Sequence, residues 1–338
     1  MSGRTAYADA GVDVGAADRA VELLRARLGV SEHDLLGGIG AFGAALELPG
    51  GYRRPVLVTG ADGVGTKTDL ARRLGRYDTI GQDLVAMCVD DIVCHGARPA
   101  FFLDYLAVGR VAPERVAEIV GGVGEACALV GAALVGGETA EHPGLMGDDD
   151  FDLAGFAIGF VERDELIDGT AARAGDVIIG LASSGLHANG FSLVRSLIER
   201  GTLELSDELL EPTRLYAPAV LALIEALRTS GLRLGGLAHV TGGGLAGNLP
   251  RGVTATLGVR LDPSAWPQPE LFTRIGRLAG IGAVELRATL NCGIGFAAVV
   301  EPAAVEPSIA LLAGHGIAAW PIGTIAPAAE LGARYVEA

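Results

Sequence analysis

Apolar runs alternate with helical periods along most of this chain, and glycines stand where one gives way to the other. Residues 56–59 form a short β-branched run that reads as a strand. A glycine-rich turn follows, then a helix through Leu70 and Leu74. Residues 79–93 repeat apolar positions at Ile80, Leu84 and Met87, and again at Val85, Val89 and Ile92, which predicts a helix. Residues 101–105 look extended, and Pro113 suits the first turn of a helix reaching about Val130. Further strands are expected at 132–135 and 153–161. A polar stretch, 162–175, separates this half from a new apolar start at 176–182. The second half repeats the style, with a helix at 191–200, another at 212–227 and a strand near His239. Two domains are expected, 1–169 and 170–338, in line with 338 residues at roughly 150 per domain.

Charge narrows the partners. Forty-one acidic against 26 basic residues leave a net charge of −15. No basic field exists to condense on nucleic acid or on an anionic membrane, although a few local donors can still hold a small anion. The opening MSGRTAYADAGVDVG lacks an apolar stretch of signal-peptide length. The longest nearly apolar stretches, such as 126–137, are too short and too rich in glycine to span a bilayer. Cys88, Cys94, Cys127 and Cys292 show no C-x-x-C spacing, as expected of reduced core thiols in a cytoplasmic protein. Glycine supplies 51 of 338 residues, about twice the common usage of ~7%. Lys67 is the only lysine, and its compact ammonium is not interchangeable with the guanidinium used elsewhere.

Five glycine-rich turns carry polar residues that a plain core would not need. The first runs from Thr59 to Lys67 and nearly matches G-x-x-x-x-G-K-[ST], with Gly60 and Gly65 correctly spaced. Thr66 intervenes before Lys67, and Asp62 would sit inside a phosphate cradle. An acid there is tolerable when a divalent cation bridges it to the phosphates. Asp91 lies seven residues after Leu84 and four after Met87, so it projects from the apolar stripe and must be paired, hydrogen-bonded or on a metal. Asp90 faces elsewhere. Glu138, Glu141 and His142 follow Gly136-Gly137 at a strand end, which suits magnesium ligation or acid–base work. Zinc is disfavoured there, because no second His or Cys stands at ligand spacing. Residues 183–190 (S-S-G-L-H-A-N-G) and 239–244 (H-V-T-G-G-G) each follow a strand. Their backbone amides can hold an anion, and His187 and Asn189 can read a substrate. Each turn taken alone could be a solvated structural turn.

At this point the chain resembles the phosphoribosylformylglycinamidine cyclo-ligase (AIR synthetase) family nearly end to end. The motifs are Y-x-x-A-G-V-D at 7–13, G-G-x-G-x-F-G at 37–43, D-G-V-G-T-K at 62–67 and D-T-I-G-x-D-L-V-A-M at 78–87. They continue with F-F-L-D-Y at 101–105, G-G-E-T-A-E-x-P-G at 136–144 and S-S-G-x-H-x-N-G at 183–190. E-P-T-R at 211–214, H-V-T-G-G-G at 239–244 and T-L-N-x-G-I-G at 289–295 complete the series. The resemblance implies an α+β fold of two domains. The first would carry a mixed sheet with helices that pairs with a second copy into a barrel-like homodimer, and the second an α/β sandwich. It implies ATP-dependent ring closure of formylglycinamidine ribonucleotide to aminoimidazole ribonucleotide, with magnesium.

By the same resemblance Asp62, Asp91 and Glu138 would hold the metal, and Gly63, Gly65, Thr66 and Thr139 would join them around the nucleotide. Lys67 would neutralise phosphoryl oxygens, and Lys67, Asp62 and His187 are the expected catalytic residues. His187, Asn189, His239, Thr241, Gly242, Gly243 and Gly244 would contact the ribotide. The chain departs from the family pattern in four places: the non-basic segment 28–34, Ala61 for a usual Thr, Asp90 for a common Asn, and Ala288 where a basic residue often stands. Two alternatives remain: an ATP- and magnesium-dependent kinase or synthetase of the same superfamily with another acceptor, or a non-catalytic nucleotide-binding paralogue.

Overall fold

Strand β1 (Pro55–Gly63) opens a four-stranded sheet completed by β2 (Arg98–Val108), β3 (Ala133–Glu141) and β4 (Phe151–Glu162). The computed structural model describes residues 43–338 and, before them, Gly15, Arg19, Ala20, Glu22 and Leu23. The motif at 7–13, the segment 28–34 and all of 37–43 except Gly43 lie outside the described residues. The sheet order is β1-β4-β2-β3, with β4 antiparallel to both neighbours and β2 parallel to β3. Alternation along β2 buries Phe102, Leu106 and Val108 beneath the helices and leaves Phe101, Leu103 and Tyr105 half-buried on the other face. On that second face Leu57 is 56% and Phe156 45% exposed.

Among the described residues, α1 (Lys67–Leu74), α2 (Ile80–Val93) and α3 (Pro113–Val130) cover the buried face. Helices α2 and α3 meet backbone to backbone at Gly81, where a Cβ would run into Gly122 and Val123. Gly60 on β1 similarly admits α2, since a Cβ there would lie 2.9 Å from the Cys88 carbonyl. Two strands run further than their composition predicts. Gly60–Gly63 stay in β1 because they pair with β4 down to Gly63–Ala154. Gly136–Glu141 stay in β3, paired with β2 through Val108–Glu141, rather than forming a loop after the strand. Ladder hydrogen bonds outweigh the turn propensity of these glycines.

The second half holds a six-stranded mixed sheet in the order β10-β7-β9-β5-β8-β6. Its strands are β5 (Val177–Ala182), β6 (Leu234–His239), β7 (Leu257–Leu261), β8 (Ile294–Val300), β9 (Ala319–Pro327) and β10 (Tyr335–Glu337). Helices α4 (Phe191–Glu199), α5 (Ala217–Thr229), α6 (Gly244–Asn248), α7 (Glu270–Ala279) and α8 (Ala283–Arg287) flank it, with α9 (Val305–Gly314) and α10 (Ala328–Leu331). Every residue of β8 is buried, as a strand covered on both faces requires. One apolar cluster runs from Leu84 and Met87 of α2 to Phe191, Tyr216 and Val220 of the second half, so the two halves share a core. Among the described residues no helix is long and apolar enough to cross a membrane. The expected helix at 212–227 begins only at Ala217, because residues 211–216 are held in a different arrangement by the first half.

A carboxyl lies beneath the first sheet, away from the second half. Asp104 on β2 is 6% exposed, and its carboxyl occupies the space a Cβ would need at neighbouring Gly137. Burial pushes its pKa up from 3.8 to about 7. A carboxyl with a raised folded-state pKa binds its proton better in the native chain, so its contribution is largest in acid and declines as pH rises. Wild type should therefore lose stability relative to Asp104→Asn at up to about 1.4 kcal/mol per pH unit across that interval. Urea unfolding of both proteins at pH 5 and pH 7.5 checks this; a pH-independent difference between them would contradict it.

Candidate active site

Helix α2 forms the wall between the two halves, and three of its carboxylates face the second half. Asp83, Asp90 and Asp91 are spaced by seven and eight residues, which puts them on one side of the helix two turns apart. Asp90, expected to face elsewhere, is the acid sealed against the second half. Asp90 is fully buried, whereas the Asp91 side chain is 42% exposed. Apolar residues surround α2 on all sides, so the phase of one stripe does not tell which acid is sealed. The Asp90 carboxylate accepts from the amides of Tyr216 (3.1 and 3.2 Å) and Ala217 (2.9 Å), capping the start of α5. Burial raises its pKa to about 7.

Lys67 stands elsewhere than a phosphate ligand would. Its side chain has no exposure, and its Nζ donates to Asp83 Oδ1 (2.8 Å) and to the Glu211 carbonyl (2.9 Å), 5.6 Å from the Phe191 ring centre. Burial pushes the Lys67 pKa down and the Asp83 pKa up, each opposed by the other's charge. The ammonium is committed to an internal ion pair instead of projecting from the loop. Gly63, Gly65 and Thr66 form the turn ahead of it, with Gly65 at φ 54°.

Asp62 lies at the end of β1, where its Oδ1 accepts from the Gly63 amide at 2.7 Å. Burial raises its pKa, and the nearby Asp91 charge raises it further. Asp91 Oδ1 also meets His239 Nδ1 at 2.9 Å, across the boundary between the halves. His239 is buried, and its Nε2 has no partner. A cavity of about 380 Å³ opens here, lined by Thr59, Gly60, Asp91, His239, Asn248 and Arg251 among others. Two carboxylates that disfavour each other's charge suit a divalent cation, and Mg²⁺ is commonly held by one or two carboxylates plus phosphate oxygens. Glu138 does not join them. Asp62 pairs with Gly155, Gly155 with Asp104, and Asp104 with Gly137, so Glu138 and Thr139 belong to the opposite edge strand. Three strand spacings of ~4.8 Å put that edge about 14 Å away. Among the described residues no three His, Cys, Asp or Glu side chains gather to hold a metal by themselves.

Across α2 lie the two glycine turns of the second half. In residues 183–190 His187 takes φ 63°, an unusual backbone for a side-chain-bearing residue. Its Nε2 accepts from the Ser184 amide at 3.2 Å, while Nδ1 is buried without a partner. Burial, joined by neighbouring positive groups, pulls its pKa well below the usual histidine value, so the ring is neutral. The expected catalytic His187 thus stands as an internal brace of the turn. Asn189 is half-buried, with Nδ2 3.6 Å from Met87 Sδ of α2 and Oδ1 beside Gly242. Residues 241–244 turn into α6 with Gly242 and Gly243 exposed and Gly244 buried. Asn248 Nδ2 reaches the carbonyls of Thr241, Gly242 and Gly244 at 3.3, 3.1 and 2.9 Å. It ties the carbonyls inward.

Asp62, Asp91 and His239 are brought together, and Asn189 with Gly242 faces the same helix. Residues 173–336 match the family model described as AIR synthase related protein, C-terminal domain, and residues 44–161 match its N-terminal domain. The chain is 47% identical over 334 residues to a phosphoribosylformylglycinamidine cyclo-ligase of Burkholderia vietnamiensis, covering 96% of this chain and 94% of that one. A Burkholderia pseudomallei relative of the same name matches to the same extent. The chain belongs to the phosphoribosylformylglycinamidine cyclo-ligase family. More distant solved structures share the fold. Thiamine-monophosphate kinase from Stenotrophomonas maltophilia superimposes with TM-score 0.69 at 20% identity, over 94% of this chain and 95% of that one. The hydrogenase maturation protein HypE in complex with ATP gives TM-score 0.68 at 20% identity, over 96% and 91%.

Within this cyclo-ligase family member the departures at described positions find simple places. The cap on α5 needs only an acceptor, which Asp90 supplies and an Asn amide oxygen would supply equally. Ala61 lies on β1 opposite Phe156, and Ala288 is exposed after α8. Asp83, Thr213 and Asn248 are the polar residues that motif reading passed over, although Asp83 interrupts the apolar run of α2 and Thr213 sits in E-P-T-R. Gly244 tests the loop directly. Its φ is +58°, and a Cβ would run into the Arg287 carbonyl and come within 2.8 Å of the Leu290 carbonyl. Gly244→Ala should destabilise the protein by at least ~2 kcal/mol, whereas Gly247→Ala, three residues on in α6, should be near neutral. Chemical denaturation of both variants checks the contrast.

Proposed function

We propose that this chain closes the imidazole ring of aminoimidazole ribonucleotide from formylglycinamidine ribonucleotide, using ATP and releasing ADP and phosphate. The observation that carries the reading is the facing pair of sites on α2. Asp62 and Asp91 stand at one, and Asn189 with the exposed residues Gly242 and Gly243 at the other. A formamide oxygen is a poor leaving group. Transfer of the γ-phosphoryl group to that oxygen makes the carbon open to attack by the substrate's own nitrogen, and phosphate then departs. Positioning and charge neutralisation supply most of the catalysis in such transfers.

In this reading Asp62 and Asp91 hold Mg²⁺ against the nucleotide phosphates, where it offsets developing negative charge. The Gly63–Thr66 turn approaches the nucleotide, and the amides of Gly242 and Gly243 take the ribotide phosphate, that of Gly244 being bonded to the Thr241 carbonyl. Thr241 and His239 line the ribotide side. Glu138 and Thr139, on the far edge, are left out of the metal set. Four cysteines without disulfides support a reducing, cytoplasmic setting. The exposed Leu57 and Phe156, continuous with Phe101, Leu103 and Tyr105, support a homodimer formed through that sheet face.

A coupled assay tests the activity, with ADP followed enzymatically and the product amine by diazo coupling. Equal amounts of both products are expected, and Asp62→Asn should lower turnover on the order of 10²–10³. Glu138→Gln should keep the wild-type magnesium requirement. ADP without the imidazole would point instead to another acceptor, and a folded protein yielding neither product would sink the enzyme reading. Light scattering addresses the dimer: the double variant Leu57→Asp, Phe156→Asp should run as a monomer where wild type runs as a dimer.

A further inference from the structure

The E-P-T-R segment is no part of the two proposed sites, yet side chains hold its backbone from Glu211 to Thr213. The Glu211 carbonyl accepts from Lys67 Nζ (2.9 Å), and the Pro212 carbonyl accepts from Ser184 Oγ (2.6 Å). The Thr213 amide and hydroxyl both donate to Asp83 Oδ1 (2.8 and 2.5 Å), and the Thr213 carbonyl accepts from Gln82 Nε2 (2.8 Å). Pro212 has no N–H to offer. All three carbonyls and the Thr213 amide are thus bound by side chains, where a loop would ordinarily use water or its own backbone. Those side chains come from three places: the residue that ends the 62–67 turn, the first turn of α2, and the 183–190 turn.

We propose that residues 211–213 are a positioning strap that fixes the distance between the Asp62 turn and the Asn189 turn, with Lys67, Asp83 and Thr213 as its positioning residues. The proposal rests on the cyclo-ligase reading, in which those two turns carry the two substrates. Lys67 then acts through Asp83 and the strap, and touches no phosphate. Two substrates held on separate halves react only when their reacting atoms are brought into register, and a misplacement of about 1 Å can cost on the order of 10²-fold in rate. Loss of the strap therefore lowers turnover while leaving each substrate's own contacts in place.

Thr213→Val removes the hydroxyl at nearly constant volume, and Thr213→Ser restores it. The Val variant should bind a non-hydrolysable ATP analogue and the ribotide, each alone, within about twofold of wild type by calorimetry. Its kcat should fall at least tenfold, and the Ser variant should recover most of that loss. Independently of turnover, the Thr213 amide should exchange its hydrogen at least tenfold faster in the Val variant and at the wild-type rate in the Ser variant. A Val variant with wild-type kcat and exchange overturns the strap. So does one whose kcat falls only in step with weakened binding of a single substrate or with loss of folded protein. Wild-type protein that forms no imidazole overturns the cyclo-ligase reading instead, and the exchange measurement still judges the strap.

Discussion

Burying an ionised carboxylate costs several kcal/mol unless donors surround it, and α2 buries two of its acids against the second half of the chain. Much of the cost is offset by partners supplied largely from the other half, although Asp83 Oδ2 is buried without a partner. Asp83 takes an amide and a hydroxyl from Thr213 as well as the ammonium of Lys67, and Asp90 takes the first amides of α5. Neither acid could be accommodated in this way by a separated first half, and α5 would start without its cap. Removing one member of such a cluster is strongly unfavourable because it strands the other in a dry interior, typically by ~3–5 kcal/mol. The relative placement of the two sheets therefore follows from polar groups that each half must satisfy with the other, on top of a shared apolar core.

The elements were largely legible because their signals are local. The period of α2, the proline at the start of α3, the β-branched run of β1 and the apolar run of β4 are all decided within a dozen residues. What misled was chemistry satisfied at long range. Glycines at 60–63 and 136–137 look like turns in one dimension, yet they are rungs of a ladder whose partners lie far away in sequence. Residues 212–216 carry a helical pattern but spend their backbone groups on Ser184, Asp83, Gln82 and Asp90.

The site divides in the same way. Asp62, Asp91, Asn189, His239 and the glycines of 242–244, the residues of the proposed sites, stand out by residue type and position relative to a strand end. Which acid on α2 is sealed, whether Lys67 faces phosphate or protein, and that Glu138 sits an entire sheet away from Asp62 are all tertiary facts. His187 shows the limit most clearly. An imidazole in a glycine turn reads as chemistry, and only its left-handed backbone and burial reveal a brace.

The internal commitment of Lys67 bears on how so acidic a protein could hold two phosphorylated ligands. With a net charge of −15 and its single ammonium paired to Asp83, the chain offers Arg251 beside the Asp91 cavity, and that guanidinium already donates to Asn248 Oδ1. Phosphate affinity would then have to come from backbone amides and a bound divalent ion, neither of which alters the count of basic residues. Both ask for glycine: amides converge on an anion only where the chain can turn without a Cβ in the way, and Asp62 follows a strand whose Gly60 lets α2 and Asp91 come close. On the proposed reading, the glycine excess supplies main-chain donors and close approaches in an acidic chain that has a single ammonium to offer.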